Sequence, residues 1–411
     1  MKRVVVTGIG SVSGFGAGLN SLEDALFSGS SAIKDVTQFD VSDFPVKVAG
    51  EFSDFNPKDY FSSSEDLRMD RYCQFAMIAA DEAIADANIE FGEDLGAETG
   101  VFIGSGMGGL IAMENNHTSY MNRGHKRISP YFIPSTIINT ASGKISMKHK
   151  IYGPNFGHVS ACSSSAHAIG EAFRYLKHGY LKAAVVGGAE ATISPMGLGG
   201  FIVIKALSKG NSPAASRPFD KNRDGFVAGE GAGVLVIEEK EHALERGAKI
   251  YGEIVGYGAS SDAFHITAPH AEALGAKACM ESALKEANVH AQEIDYINAH
   301  GTSTPLNDKI ETLAIKKVFG DFAHNVKISS TKSMTGHMLG AAGAIETIAC
   351  LLSIQRQQIP PTINYEEKDP DCDLDYVPNK VIKRNIKKVM TNSFGFGGTN
   401  ASLILSELSY E

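Results

Sequence analysis

Basic charge is in short supply. In 411 residues, 38 lysines and arginines are outnumbered by 47 aspartates and glutamates, giving a formal net charge of −9. Such a balance argues against generic nucleic-acid binding, because no global positive excess exists to neutralise phosphates; a local basic patch stays open. Cysteine is also sparse. The five cysteines (Cys73, Cys162, Cys279, Cys350, Cys372) are odd in number and form no C-x-x-C pair. A disulfide framework or zinc ribbon therefore does not fit, and a reducing cytoplasm is the expected compartment. Long apolar runs are missing too: no stretch reaches the ~18 uninterrupted residues of a membrane span. The opening MKRVVVTGIG starts positively, but Gly8 and Gly10 interrupt its apolar run. It reads as a first strand rather than a signal peptide.

Hydrophobic residues, at 43%, are too many for a disordered chain. The length suits two or three domains at roughly 150 residues each. Glycine is the excess component, 43 residues without period, which points to tight turns and close backbone approaches.

Short β-branched runs recur at Arg3–Thr7, Gly100–Ile103, Ala183–Gly187, Gly233–Glu238, Ile250–Tyr257, Ile294–Ala299, Lys327–Ser330 and Lys388–Thr391. Most are continuously apolar, as in strands buried on both faces. Helical patterns lie between them at Tyr72–Asn88, Ala166–His178, Ala271–Ala287 and Ala341–Gln357. The alternation predicts an α/β protein. A duplication is visible as well. Arg3–Gly16, a strand with Gly-x-Gly, has a counterpart in Tyr251–Phe264, and Val159–Leu176 has one in Lys327–Leu352. We expect two halves, 1–250 and 251–411, packed as one body.

Gly8-x-Gly10 and Gly104-Ser-Gly106-Met-Gly108-Gly109 invite a nucleotide reading. Neither is followed by a strand ending in Asp or Glu, so tight turns are the better use of these glycines. Ser329-Ser-Thr-Lys332 matches S-x-x-K without the partner motifs that pattern requires. Cys162 is more informative. It stands between a strand and a helix among small polar residues (Val159-Ser-Ala-Cys-Ser-Ser-Ser-Ala-His167), where the positive helix end favours a thiolate and lowers its pKa. Unpaired N–H groups at that turn could hold an oxyanion. The plainer alternative, a buried structural cysteine, suits Cys73, Cys279 and Cys350, which sit in apolar helical patterns.

A catalytic thiol needs a partner. His300, in Asn298-Ala-His-Gly-Thr-Ser-Thr304, and His337, in Ser329-Ser-Thr-Lys-Ser-Met-Thr-Gly-His-Met-Leu-Gly340, both follow strands, where α/β sheets place their chemistry. His117, His125, His178 and His290 sit in polar stretches and read as surface residues. A metal site is not expected, since no i, i+4 pair or carboxylate accompanies the two histidines. Asn392-Ser-Phe-Gly-Phe-Gly-Gly-Thr-Asn400 reads as a mobile loop with an apolar plug, a gate or an oxyanion contact.

Together these segments resemble the β-ketoacyl-acyl-carrier-protein synthases of the thiolase superfamily, most closely the type II elongating condensing enzymes. The likeness runs the length of the chain: GSGMGGL at Gly104, ISPYFIPS at Ile128, SRPFDKNRDGFVAGEGAG at Ser216, DAFHITAP at Asp262, NAHGTSTP at Asn298, SSTKSMTGHMLGAAGAIE at Ser329, PPTINYEEKDPDCDLDYVPN at Pro360 and NSFGFGGTN at Asn392. The resemblance implies a thiolase-like five-layered αβαβα fold from two duplicated halves, usually dimeric. It also implies a decarboxylative Claisen condensation in fatty-acid elongation, with no resident cofactor and with substrates carried on the phosphopantetheine of acyl carrier protein.

By the same resemblance Cys162, His300 and His337 are catalytic, supported by Lys332 and Glu346. Cys162 and Phe396 supply oxyanion N–H groups, and Phe396 is the gate. Thr267, Thr302 and Thr304 bind the pantetheine arm; Met107, Phe132 and Phe201 border the acyl pocket, partly across a dimer interface. Arg68, Lys126, Arg127 and Lys205 would meet the carrier protein. Two departures stand out. The run Cys162-Ser-Ser-Ser165 is more typical of polyketide ketosynthases than of fatty-acid enzymes, and Glu65, Asp66 and Leu67 dilute the basic cluster at Arg68. The main rival is accordingly the catalytic subunit of a type II polyketide synthase, paired with a chain-length-factor homologue. A non-catalytic partner subunit normally lacks the nucleophile, and a thiolase would use a second cysteine where His337 stands.

Overall fold

The computed structural model describes residues 1–66 and 68–409; Leu67, noted above beside Arg68, lies outside the described residues. The first half supplies strands β1 (Val4–Ser13), β2 (Thr99–Gly104), β3 (Asn155–His158), β4 (Ala183–Glu190) and β5 (Gly231–Glu239). The second supplies β6 (Gly252–Ser261), β7 (Tyr296–Asn298), β8 (Lys327–Ser329), β9 (Lys388–Gly395) and β10 (Thr399–Ser406). Each half forms one five-stranded sheet, and the two are joined edge to edge in the order β8-β7-β9-β10-β6-β1-β5-β4-β2-β3, so the order on one side of the β6–β1 junction repeats on the other. Pairing repeats as well. β1–β5 and β5–β4 are antiparallel while β4–β2 and β2–β3 are parallel. β6–β10 and β10–β9 are antiparallel while β9–β7 and β7–β8 are parallel. The halves join through Val4–Val6 against Gly252–Ile254.

Four helices complete the layers: α1 (Arg71–Ala87), α2 (Ser164–Lys177), α3 (Leu274–Ala287) and α4 (Ala342–Arg356). Side chains on one face of both sheets (Phe102, Val186 and Leu235; Val389, Leu403 and Leu405) form a single core with Ile169 and Phe173 of α2 and Ile345 and Ile348 of α4. The opposite face of the first sheet (Val101, Val185, Val234) packs on α1, and that of the second (Ile297, Met390, Ile404) on α3. Helix, sheet, helix pair, sheet and helix thus make the five layers that the resemblance implied.

The glycines explain how closely these layers approach. A Cβ added at Gly8 or Gly10 would lie 2.1 Å from the Ala83 carbonyl or 2.0 Å from that of Ala79, both on α1. At Gly256 or Gly258 it would lie 2.4 Å from the Ala283 carbonyl or 2.0 Å from that of Cys279, both on α3. The two Gly-x-Gly motifs are seats for helix backbone; Gly8 and Gly10 lie inside β1 rather than in the tight turn expected of them, because the strand must pass close against α1. Both helices then stop the same way, at left-handed Asn88 (φ 47°) and Asn288 (φ 53°).

Differences from the sequence reading are local. The continuous apolar runs marked the strands, but β1 continues to Ser13 and β9 to Gly395. Asn392–Gly395 is therefore strand, paired with Thr399–Ser402, rather than loop. The expected mobile segment is a β-hairpin end, held because its polar residues fill a ladder. Among the described residues, no helix is long and apolar enough to cross a membrane.

Candidate active site

Cys162 lies in a short turn, Ala161–Ser163, just before α2. Ala161 adopts φ 50°, an uncommon left-handed conformation for a residue with a Cβ, and this kink sets the sulfur at the head of the helix. The serines that follow have structural work. Ser163 Oγ donates to the Ser393 and Thr399 carbonyls, at 2.9 and 2.8 Å. Ser164 Oγ donates to Ala161 O at 2.7 Å and accepts the Ser160 N–H at 2.9 Å. Ser165 Oγ accepts the Ala344 N–H at 3.0 Å, capping α4 from the other half of the molecule.

His300 follows β7 and His337 lies between β8 and α4, so both histidines come from the second half while the sulfur comes from the first. His337 Nε2 stands 3.1 Å from Cys162 Sγ. The two imidazole rings are 5.4 Å apart, edge to face, and one ligand atom from each of Cys162, His300 and His337 falls within 4.8 Å of the others. All three are buried. Leu339 N–H donates to His337 Nδ1 at 3.3 Å. An accepting Nδ1 places the proton of a neutral ring on Nε2, which is then a donor toward the sulfur. A metal ligand would need the reverse, a lone pair on Nε2 and a donating Nδ1. The cluster is built for hydrogen bonding.

Burial, reinforced by the nearby Lys332 charge, holds both imidazoles well below their ordinary pKa. They are uncharged, as a donor to a developing oxyanion should be. The cysteine departs from expectation. Burial pushes its thiol up to about 12, against the opposing pull of Lys332 and of the Phe396 N–H. The expected lowering by the helix end is outweighed because desolvation of a buried thiolate costs more than those partners return. The Phe396 backbone N–H nevertheless reaches the sulfur. Gly395 makes that approach possible, since a Cβ there would sit 3.2 Å from the Cys162 nitrogen.

Lys332 and Glu346 form a buried ion pair, each side chain 2% exposed. Two further carboxylates went unnoticed in the sequence. Glu311, eleven residues after His300 on the helix Pro305–Phe319, accepts the N–H groups of His300 and Gly301 at 2.8 Å each. Glu190 ends β4. For Glu190 the available signal was an acid ending an otherwise apolar strand, easily taken for a solvated end; Glu311 stands among polar and charged residues and carried no such signal.

Of the other expected site residues, Met107, Phe201, Thr267, Thr302, Thr304 and Phe396 line a cavity of 530 Å³ together with Cys162, His300 and His337. Thr302 and Thr304 hydroxyls are 2.9 Å apart. Phe132 does not line it; it lies half-buried on the short helix Phe132–Thr136, outside the cavity that this chain encloses. Lys205 is exposed on the cavity rim. Arg68, Lys126 and Arg127 are exposed but are not part of the lining, and Arg68 lies over the Tyr131 ring at 5.3 Å. His117, His125, His178 and His290 are at the surface, as expected.

A buried cysteine at a helix head, two neutral imidazoles from a duplicated second half and a shared apolar cavity define a condensing enzyme of the thiolase type. Comparison with known proteins agrees. The family model "Beta-ketoacyl synthase, N-terminal domain" matches residues 1–243, and "Beta-ketoacyl synthase, C-terminal domain" matches residues 251–366. The chain belongs to the β-ketoacyl synthase family. It is 48% identical over 409 residues to a 3-oxoacyl-[acyl-carrier-protein] synthase 2 of Coxiella burnetii, covering 99% of each chain. It is 47% identical to the protein of that name from Synechocystis, covering 98% of this chain and 97% of the relative. Among solved structures, the ishigamide ketosynthase/chain length factor superposes with TM-score 0.93 at 36% identity, over 99% of this chain and 100% of that one. A β-ketoacyl synthase from Burkholderia phymatum superposes with TM-score 0.91 at 34% identity, covering 100% of both chains.

Proposed function

We propose that the chain elongates acyl groups by decarboxylative Claisen condensation on carrier-protein thioesters. The observation that carries this is His337 Nε2, a neutral donor 3.1 Å from the Cys162 sulfur, with the second neutral imidazole of His300 beside it. The Cys162 sulfur attacks the acyl thioester, and the N–H groups of Cys162 and Phe396 hold the oxyanion. The carrier's pantetheine sulfur leaves and takes the thiol proton. Malonyl-carrier protein then enters. Its carbon–carboxylate bond breaks to release CO2, and the electron pair becomes an enolate whose oxygen accepts from His300 and His337. The enolate carbon attacks the acyl carbonyl, the bond to Cys162 breaks, and the sulfur regains a proton from solvent as β-ketoacyl-carrier protein departs.

In this reading Thr267, Thr302 and Thr304 guide the pantetheine arm, and Lys205 with Arg68, Lys126 and Arg127 meets the acidic carrier. No resident cofactor is required, and the reaction runs in the cytoplasm. Among the described residues no strand pairs with the outer edge of β3, and Phe156 on it and Val159 just after it are 44% and 61% exposed. An edge of this kind suits pairing with a second copy, and across that boundary Phe132 would reach a partner's acyl cavity. Fatty-acid elongation is preferred to polyketide synthesis because identity to a 3-oxoacyl-[acyl-carrier-protein] synthase 2, 48%, exceeds that to the ketosynthase of a type II PKS complex, 34%. Mass spectrometry after incubation with acyl-carrier protein tests the assignment: an acyl adduct on Cys162, discharged by malonyl-carrier protein with CO2 release, is expected. Absence of the adduct would leave a non-catalytic partner subunit.

A further inference from the structure

Glu190 is fully buried at the end of β4, and four neutral donors converge on its carboxylate. Oε2 accepts the Gly106 N–H at 2.7 Å and the Gly340 N–H at 2.9 Å. Oε1 accepts Ser105 Oγ at 3.0 Å and the Met107 N–H at 3.1 Å. Glycines make room for it, since a Cβ at Gly106 or Gly340 would sit 2.8 Å from Oε2. The donors come from two segments with different duties. Ser105–Met107 carries the cavity wall, whereas Gly340 immediately follows Leu339, whose N–H sets the His337 tautomer. An amide offers one accepting oxygen, so two pairs of donors require a carboxylate.

Resting on the condensing activity above, we propose that Glu190 is a positioning residue for chain-length selection: it locks the Met107 wall of the acyl cavity to the loop that orients His337. A long acyl chain covers more of the Met107 wall than an acetyl group does, and so depends more on that lock.

The test is acylation of Cys162 in full-length E190Q, measured with a long-chain acyl-carrier protein and with acetyl-carrier protein. Glutamine keeps one acceptor and turns an amide toward two donors. The long-to-short ratio of kcat/KM should fall about tenfold, the equivalent of roughly one buried hydrogen bond left unmade. E51Q is the control, because Glu51 is equally buried but serves Thr37, accepting its N–H at 2.8 Å; its ratio should match wild type. An unchanged ratio in folded E190Q overturns the proposal, since a merely structural carboxylate would lower both substrates together. If E190Q does not accumulate, S105A removes one donor from the same cradle: a smaller fall in the ratio supports the proposal, and none overturns it. Wild-type protein that never takes an acyl group would overturn the condensing reading and this inference with it. Normal wild-type acylation with an unchanged variant ratio overturns this inference alone.

Discussion

Lys332 and Glu346 form an ion pair sealed beneath the active site, each side chain 2% exposed. Burial this deep leaves solvent little power to screen them, so the Lys332 charge acts on both imidazoles and on the sulfur. Replacing Lys332 with methionine strands a buried carboxylate, and we expect a loss of about 3–5 kcal/mol in unfolding free energy. K332M/E346M should recover most of it. A denaturant titration showing equal stability for the single and double variants would contradict the pairing.

Condensation should suffer more than loading when either histidine is removed. Each supplies one donor to the enolate oxygen, and one such donor is worth about 3–4 kcal/mol. H300A and H337A are therefore expected to slow condensation by two to three orders of magnitude. Single-turnover acylation of Cys162 should change far less. Equal losses in both half-reactions would remove the histidines from the decarboxylation step.

Thiol reactivity gives a pH test. With the Cys162 thiol pushed up to about 12 by burial, the resting enzyme holds almost no thiolate at pH 7. Iodoacetamide alkylation should accelerate about tenfold per pH unit from 7 to 9 without levelling. A plateau below pH 8 would mean that the helix end overcomes desolvation after all.

The depressed imidazole of His337 also has a stability consequence. Native His337 stays neutral where the unfolded chain's histidine, near 6.5, takes a proton. The unfolded state then binds more protons, so stability falls as pH drops below about 6.5. Relative to H337Q, wild type should lose about 1.4 kcal/mol between pH 8 and pH 5.5. A difference independent of pH in urea titrations would show the ring charged in the folded protein.

The cap that Ser165 provides across the halves can be weighed directly. S165A leaves the Ala344 N–H at the head of α4 without its partner. A cost of about 1 kcal/mol is expected, read as a lower denaturant midpoint with unchanged slope. No shift would mean that the hydroxyl is dispensable and would reopen the question of why serine stands there.

Much of this protein is legible in the order of its residues. Buried strands are continuously apolar and helices amphipathic, so the α/β alternation shows along the chain; so does the duplication, because each half repeats a strand with Gly-x-Gly. The nucleophile is visible for a related reason: a cysteine among serines at a strand–helix junction is a poor core residue. Other features are hidden. The tautomer of His337 depends on one backbone N–H from Leu339, the acceptor for Met107 and Gly340 is a glutamate remote in sequence, and that for His300 lies on the next helix among other charged residues. The placement of Phe132 outside the cavity likewise depends on where a short helix sits.

What the sequence determined alone was the repeat, the α/β alternation and the identity of three reactive side chains, since periodicity and residue chemistry are local properties. Tertiary structure decided how those side chains are charged. A thiol and two imidazoles acquire their proton affinities from burial and from Lys332, and desolvation is a property of the packed whole that no stretch of chain carries by itself.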